Sequence, residues 1–165
     1  MLNSYHLKFL KHLRCSDVAF LVIGGQARRF RDPKHQTHDL DMWFSMRAQN
    51  KVMIDKALRS WISDHPLHSG SIDRHNELHL VENMQMTLPD VYGVMYLDLN
   101  GDARTINVRD GIDILTSISG MNSEECMSRA VNFHVADLQL PSLSDPDLEF
   151  AARVKEQADR WHGRT

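Results

Sequence analysis

Three aspartates and a glycine pair are the residues of this chain whose types and spacing bear most directly on chemistry. Gly24-Gly25 closes an apolar run, and thirteen residues separate Gly25 from Asp39 in Asp39-Leu40-Asp41. Alternate residues of a strand share one face, so Asp39 and Asp41 are expected to project together, with Leu40 turned to the opposite side. Two carboxylates held this closely repel each other and favour a bound cation. Mg²⁺ suits them, because it takes one or two carboxylates together with substrate phosphate oxygens; Mn²⁺ accepts similar oxygen donors. Asp113 is the third carboxylate. It interrupts the apolar segment Gly-Ile-Asp-Ile-Leu-Thr (111–116), where a charge is costly without a purpose. It is the candidate second metal ligand or general base. The glycines leave peptide N–H groups unpaired and no side chains in the way, so a phosphate can approach the backbone there.

Each feature has an ordinary alternative. A lone glycine pair is more often a turn than a phosphate cradle, and a lone Asp-x-Asp is more often a helix cap beside an exposed strand residue. The combination at this spacing, with Asp113, favours the functional reading. Arg28 and Arg29 are candidate phosphate ligands, since a guanidinium binds phosphate through two parallel N–H groups. Gln26 stands beside them. Lys155 is a further candidate cation. The alternative for each base is a solvated helix face. His75 and His79 flank Glu77 at a spacing that binds zinc on a helix. The segment does not read as a helix, so surface histidines are the better reading.

These residues need elements to position them. Leu2, Tyr5, Phe9, Leu10 and Leu13 recur at helical spacing, which predicts an amphipathic helix over 2–15. Val18 to Ile23 predicts a strand buried on both faces, stopped by Gly24-Gly25. A short helix then starts at Gln26 and ends at Asp32-Pro33, because the residue before proline is pushed out of the helical region. Leu40 to Phe44 predicts a second strand with Asp39 at its start, and residues 47–63 a helix. Glu77 to Val81 is a weak strand candidate. Residues 91–99 and 103–109 flank Asn100-Gly101, a strong hairpin signal. Strand 111–116, a short helix over 123–130 led by Ser123, a last strand from Val135 to Leu140 and a closing helix over 146–161 follow. No repeat or linker divides the chain, so residues 1–165 are read as one α+β domain, a small mixed sheet with helices packed on it.

Bulk properties agree. The chain has 165 residues, 42% hydrophobic and 25% charged, the proportions of a globular domain. Lys and Arg number 19 against 22 Asp and Glu, for a net charge of −3. That gives no overall basic excess of the kind nucleic-acid binders carry. The two cysteines, Cys15 and Cys126, form neither a metal-spaced pair nor a disulfide framework, which suits a reducing cytoplasm. No apolar run is long enough for a membrane span or shaped as a secretion signal.

The segments FLVIGGQA and THDLDMWF resemble the small nucleotidyltransferase family that includes the AbiEii-type toxins, and more distantly the DNA polymerase beta superfamily. IDILTSISG (112–120) resembles that family's third-carboxylate segment, and Asp147-Leu148 with Lys155-Glu156-Gln157-Ala158-Asp159 its closing helix. The resemblance implies a nucleotidyltransferase fold; residues 83–110 depart from its pattern and read as an added β-hairpin. It implies catalytic and metal-binding roles for Asp39, Asp41 and Asp113. Gly24, Gly25, Gln26, Arg28, Arg29 and Lys155 would bind the nucleotide. It further implies Mg²⁺, a nucleoside triphosphate substrate, and a tRNA, protein or small-molecule hydroxyl as acceptor. A toxin–antitoxin or phage-defence setting with a cognate partner protein goes with it. The chain departs from the pattern at His35, where an arginine is expected, and at Glu149-Phe150-Ala151-Ala152, where the closing helix is expected to carry a lysine. Those departures keep open a second reading, a catalytically degenerate module of the same fold that binds a nucleotide or a partner protein.

Overall fold

The structure is a computed structural model and describes residues 2–63, 85–88, 111–161 and 163. Helix α1 (Ser4–Cys15) begins at a reciprocal cap. The Asn3 side chain accepts from the His6 N–H, and the His6 ring accepts from the Asn3 N–H. This satisfies two of the N–H groups that a helix start leaves orphaned. Its apolar stripe of Tyr5, Phe9, Leu10 and Leu13 is fully buried. α1 packs against α3 (Ala48–Ser63), with Trp61 at the centre of the contact. Its ring lies 5.1 Å edge-on from Phe9 and 5.8 Å from Tyr5. Burial of each such side chain stabilises the fold by about 1.5–3 kcal/mol.

The sheet has six strands in the order β3-β4-β2-β1-β6-β5. These are β1 (Phe20–Val22), β2 (Leu40–Phe44), β3 (Gln85–Leu88), β4 (Ile112–Leu115), β5 (Val131–Val135) and β6 (Leu138–Ser142). β2 with β4 and β1 with β6 are parallel; the other neighbours are antiparallel. The sheet is therefore mixed, as expected. Helices α2 (Gly24–Arg31), α4 (Ser123–Ser128) and α5 (Asp145–Trp161) complete the described elements.

Several boundaries differ from the sequence reading. β1 is shorter than the apolar run around it. The glycines are not a turn before α2 but its first two residues, with Ile23 as N-cap. α4 starts at Ser123, as expected, but ends at Ser128, and its cap is Asn122, whose side chain accepts from the N–H groups of Glu124 and Glu125. The single strand expected from Val135 to Leu140 is instead the tight end of a hairpin. β5 and β6 close at the register pair Val135–Leu138, and the turn passes through Ala136 at φ +53°. Ala136-Asp137 carries none of the glycine or asparagine signals that mark such turns, so the sequence conceals the hairpin. β3 falls where the sequence pattern is weak. Residues 77–81, the Asn100-Gly101 hairpin, His75 and His79 lie outside the described residues.

Asn50 ties the middle of the fold together. Its side chain accepts from Ala19 N–H at 2.8 Å and donates to the carbonyls of Ala19 and Ser45 at 2.9 and 2.7 Å. It thus joins the entrance to β1 to the exit of β2 from within α3.

Candidate active site at the start of helix α2

The site is built on the parallel pair β2–β4. In that register Asp41 stands opposite Asp113, Leu40 opposite Ile112 and Met42 opposite Ile114. Both aspartates are half-buried, while Leu40, Met42, Ile112 and Ile114 are fully buried. The alternation that sends the apolar residues into the core therefore sends both carboxylates to the other face, side by side. Both strands lie in the interior of the sheet. Asp39 immediately precedes β2.

Helix α2 begins at this pair. Ile23 N–H donates to the Asp41 carbonyl at 3.0 Å, and Gly25 N–H approaches Asp41 Oδ2 at 3.4 Å. Ile23, as N-cap, supplies no side-chain hydrogen bond. The Asp41 carboxylate thus serves the positive end of the helix from a neighbouring strand. Both glycines are needed for this closeness. Gly24 has φ +60°, and a Cβ there would fall on Asp41 Oδ2; a Cβ at Gly25 would fall on Thr37 Oγ1. The glycine pair admits a carboxylate and a hydroxyl of this chain against the helix start.

Electrostatics single out Asp41. Burial pushes its carboxyl above the ordinary value, and the Gly25 N–H partly opposes that. Asp113 raises it further, Lys155 lowers it, and Asp39 raises it. Asp39, Asp41, Asp113 and Lys155 therefore share one electrostatic neighbourhood, although Lys155 sits far along α5 and is exposed. Among the described residues, no three His, Cys, Asp or Glu side chains form a ready metal-holding group. A hard cation of the magnesium type needs only one or two carboxylates from the protein.

The remaining candidates have other surroundings. Arg29 donates to the His35 carbonyl at 2.6 Å and so braces the loop that carries Thr37 and Asp39. Arg28 is exposed and lines a surface cleft with Arg31, Asp145, Leu148 and Glu149. Gln26 is 1% exposed, with its Nε2 shielded from water and unpartnered. This orphaned donor lies one residue past the glycine pair.

Two positioning residues escape the sequence reading. His6 is fully buried, and its Nε2 lies 3.1 Å from the Gly111 carbonyl. Since Nδ1 accepts from Asn3 N–H, Nε2 carries the ring proton, an assignment made from the hydrogen bonds. The same carbonyl accepts from Leu40 N–H at 3.0 Å. One atom thus joins α1, β2 and the residue before β4, two positions from Asp113. The signal available in sequence was the pairing of Asn3 with His6 three residues on. The other is Arg31. It donates to the carbonyls of Ala27 and Leu143 at 2.8 and 2.6 Å and pairs with Asp145, clamping the end of α2 to the start of α5. Nothing in its sequence neighbourhood separates Arg31 from Arg28 and Arg29.

No protein-family model matches the chain, and no curated protein matches it either.

Proposed function

We propose that this chain is a nucleotidyltransferase, moving a nucleoside monophosphate from a nucleoside triphosphate to a hydroxyl with release of pyrophosphate. The observation that carries this reading is the register pair Asp41–Asp113 set against the N-terminus of α2. Asp41 and Asp113 offer oxygen donors suited to Mg²⁺ or Mn²⁺, with Asp39 adding negative charge nearby, and a cation there would offset the burial and the Asp113 charge that raise Asp41. When bound, the metal would neutralise phosphate charge and favour the transition state of in-line phosphoryl transfer. At the positive end of α2, Gly24 and Gly25 are closed over by the Asp41 carboxylate and the Thr37 hydroxyl, so a phosphate would bind beside that carboxylate and not against bare backbone. Lys155 supplies a cation from the closing helix, and the buried Gln26 amide is an uncommitted donor beside the glycines. Asp113 is the residue to take the proton of the acceptor hydroxyl.

The acceptor follows from resemblance alone: a tRNA end, a protein or a small molecule, in a cytoplasmic toxin–antitoxin or phage-defence setting with a cognate partner protein. Among the described residues no helix is long and apolar enough to cross a membrane.

One observation favours the second reading, a degenerate module that binds without turnover. His35 stands where the resemblance expects an arginine, and its carbonyl engages Arg29, drawing a second candidate phosphate ligand into loop bracing. Transfer assays separate the two. The protein is incubated with each α-labelled triphosphate, Mg²⁺ or Mn²⁺, total tRNA and cell lysate, beside the Asp39→Ala/Asp41→Ala variant. Label transfer reduced on the order of 10²-fold or more in the variant supports the enzyme. Metal-dependent nucleotide binding with no transfer to any acceptor supports the module.

A further inference from the structure

The described sheet ends on β5, and that edge has features that fit one partner in particular. β5 reads Val131-Asn132-Phe133-His134-Val135, nearly the same from either end, with Ala130 and Ala136 flanking it. It pairs residue for residue with β6, without a bulge. It holds no lysine, glutamate or proline, the usual protections of an exposed edge. Val131 is 41% exposed.

Pro141 of β6 stands opposite Asn132. Proline has no N–H, so this is a non-hydrogen-bonded pair of the antiparallel ladder. By alternation His134–Gln139 is another. The backbone N–H and C=O of Asn132 and of His134 therefore point away from β6, out of the sheet edge.

We infer that β5 is a homodimer surface, on which a second copy of this chain adds its own β5 antiparallel about a two-fold axis through Phe133. In that register Asn132 of one copy meets His134 of the other, and each such pair exchanges both backbone hydrogen bonds through its outward-pointing groups. Phe133 meets Phe133 of the second copy at a non-hydrogen-bonded position, where side chains come closest and aromatic pairs contribute most. Val131 meets Val135, covering the exposed valine. On that side the Phe30 ring lies 5.3 Å away and the Arg31 guanidinium 4.8 Å over the Phe133 ring, which hold the Phe133 ring in place from within each copy. The arrangement is isologous and closes on itself, so it yields dimers and not fibres. The two sheets become continuous, and the Asp41–Asp113 sites lie outside the contact.

The test is sedimentation velocity of the full chain across a concentration series. The expected result is a reversible dimer with a dissociation constant on the order of 1–100 µM. Asn132→Lys/His134→Lys places like charges opposite each other in both pairs and should leave only monomer. Asn132→Glu/His134→Lys places opposite charges there and should restore the dimer. Circular dichroism and thermal melting confirm that each variant is folded; their substituted side chains are exposed and face away from Phe133. In a Cys15→Ser background, Phe133→Cys should form an intermolecular disulfide, whereas Val131→Cys should do so only when mixed with Val135→Cys. A wild-type chain that stays monomeric well above that concentration range overturns the inference. So does a dimer that survives the double-lysine variant.

Discussion

Asp41 and Asp113 stand directly opposite each other on neighbouring parallel strands, and the first turn of α2 closes over Asp41 through two glycines.

Asp41 is expected to cost stability when no cation is present. Burial and Asp113 raise its carboxyl in the folded state. A group whose folded pKa is raised favours folding below its unfolded value, about 3.9, and that contribution is lost as pH rises through the folded value. In metal-free buffer at neutral pH, Asp41→Asn should therefore melt above the parent, with the difference vanishing as pH falls below about 4. Mg²⁺ should raise the melting temperature of the parent and not of the variant. Calorimetry across pH reads both effects, and a variant that melts lower at neutral pH contradicts them.

Gly24→Ala should be destabilising and damaging to the site together. A left-handed backbone at a non-glycine residue costs about 1–2 kcal/mol, and the added methyl must also displace the Asp41 carboxylate. Gly120 has φ +73°, and a Cβ there would meet only the Phe150 ring at 3.4 Å, an ordinary contact, so Gly120→Ala isolates the backbone cost. Gly24→Ala should lower the denaturation midpoint more than Gly120→Ala and should weaken Mg²⁺-dependent stabilisation, which the control leaves intact. Equal shifts in the two variants would show that the Asp41 contact is unimportant.

The start of α5 should be acid-sensitive. Arg129 donates to both Asp147 oxygens at 2.7 and 2.8 Å, and Ser144 donates to one of them at 2.7 Å. The Arg129 hydrogen bonds are the main cause holding the Asp147 carboxyl below its usual value. A lowered folded pKa contributes stability that is present above the unfolded value and lost as pH falls through the folded one. Asp147→Asn should thus lower the melting temperature at neutral pH, with the gap to the parent closing in strong acid. A gap that stays constant with pH assigns the effect to packing.

His6→Ala should cost about 2–4 kcal/mol, through a core cavity and a lost buried hydrogen bond. It should also weaken metal affinity, because the Gly111 carbonyl that His6 holds fixes the entry of β4 two residues before Asp113. Chemical denaturation and Mn²⁺ titration of the same preparation measure the two effects. Lost stability with unchanged affinity makes His6 a core residue only.

How much of this was legible in the sequence depends on whether the cause is local. β2 is recovered end to end, because Leu40 to Phe44 is flanked by polar residues and its apolar positions match the pleat. The closing helix is nearly as well bounded. The β5–β6 hairpin was hidden, since Ala136 adopts a positive φ without a residue type that announces it. At the site, the residue types were legible and the contacts were not. Gly24-Gly25 reads as a phosphate cradle, yet its tightest approaches are Gly24 to Asp41 and Gly25 to Thr37, seventeen and twelve residues away in the chain. The division of labour among Arg28, Arg29 and Arg31 is set by which neighbours the fold brings to each, and no local pattern encodes it.

If Asp41 and Asp113 hold a divalent cation that a nucleoside triphosphate helps to ligate, electron paramagnetic resonance titration of Mn²⁺ into the protein, with and without triphosphate, reads it. Stoichiometric Mn²⁺ binding is expected, tightened by triphosphate and lost in both Asp41→Asn and Asp113→Asn while each variant remains folded. Unchanged Mn²⁺ binding in either folded variant, or none in the parent with triphosphate present, contradicts it.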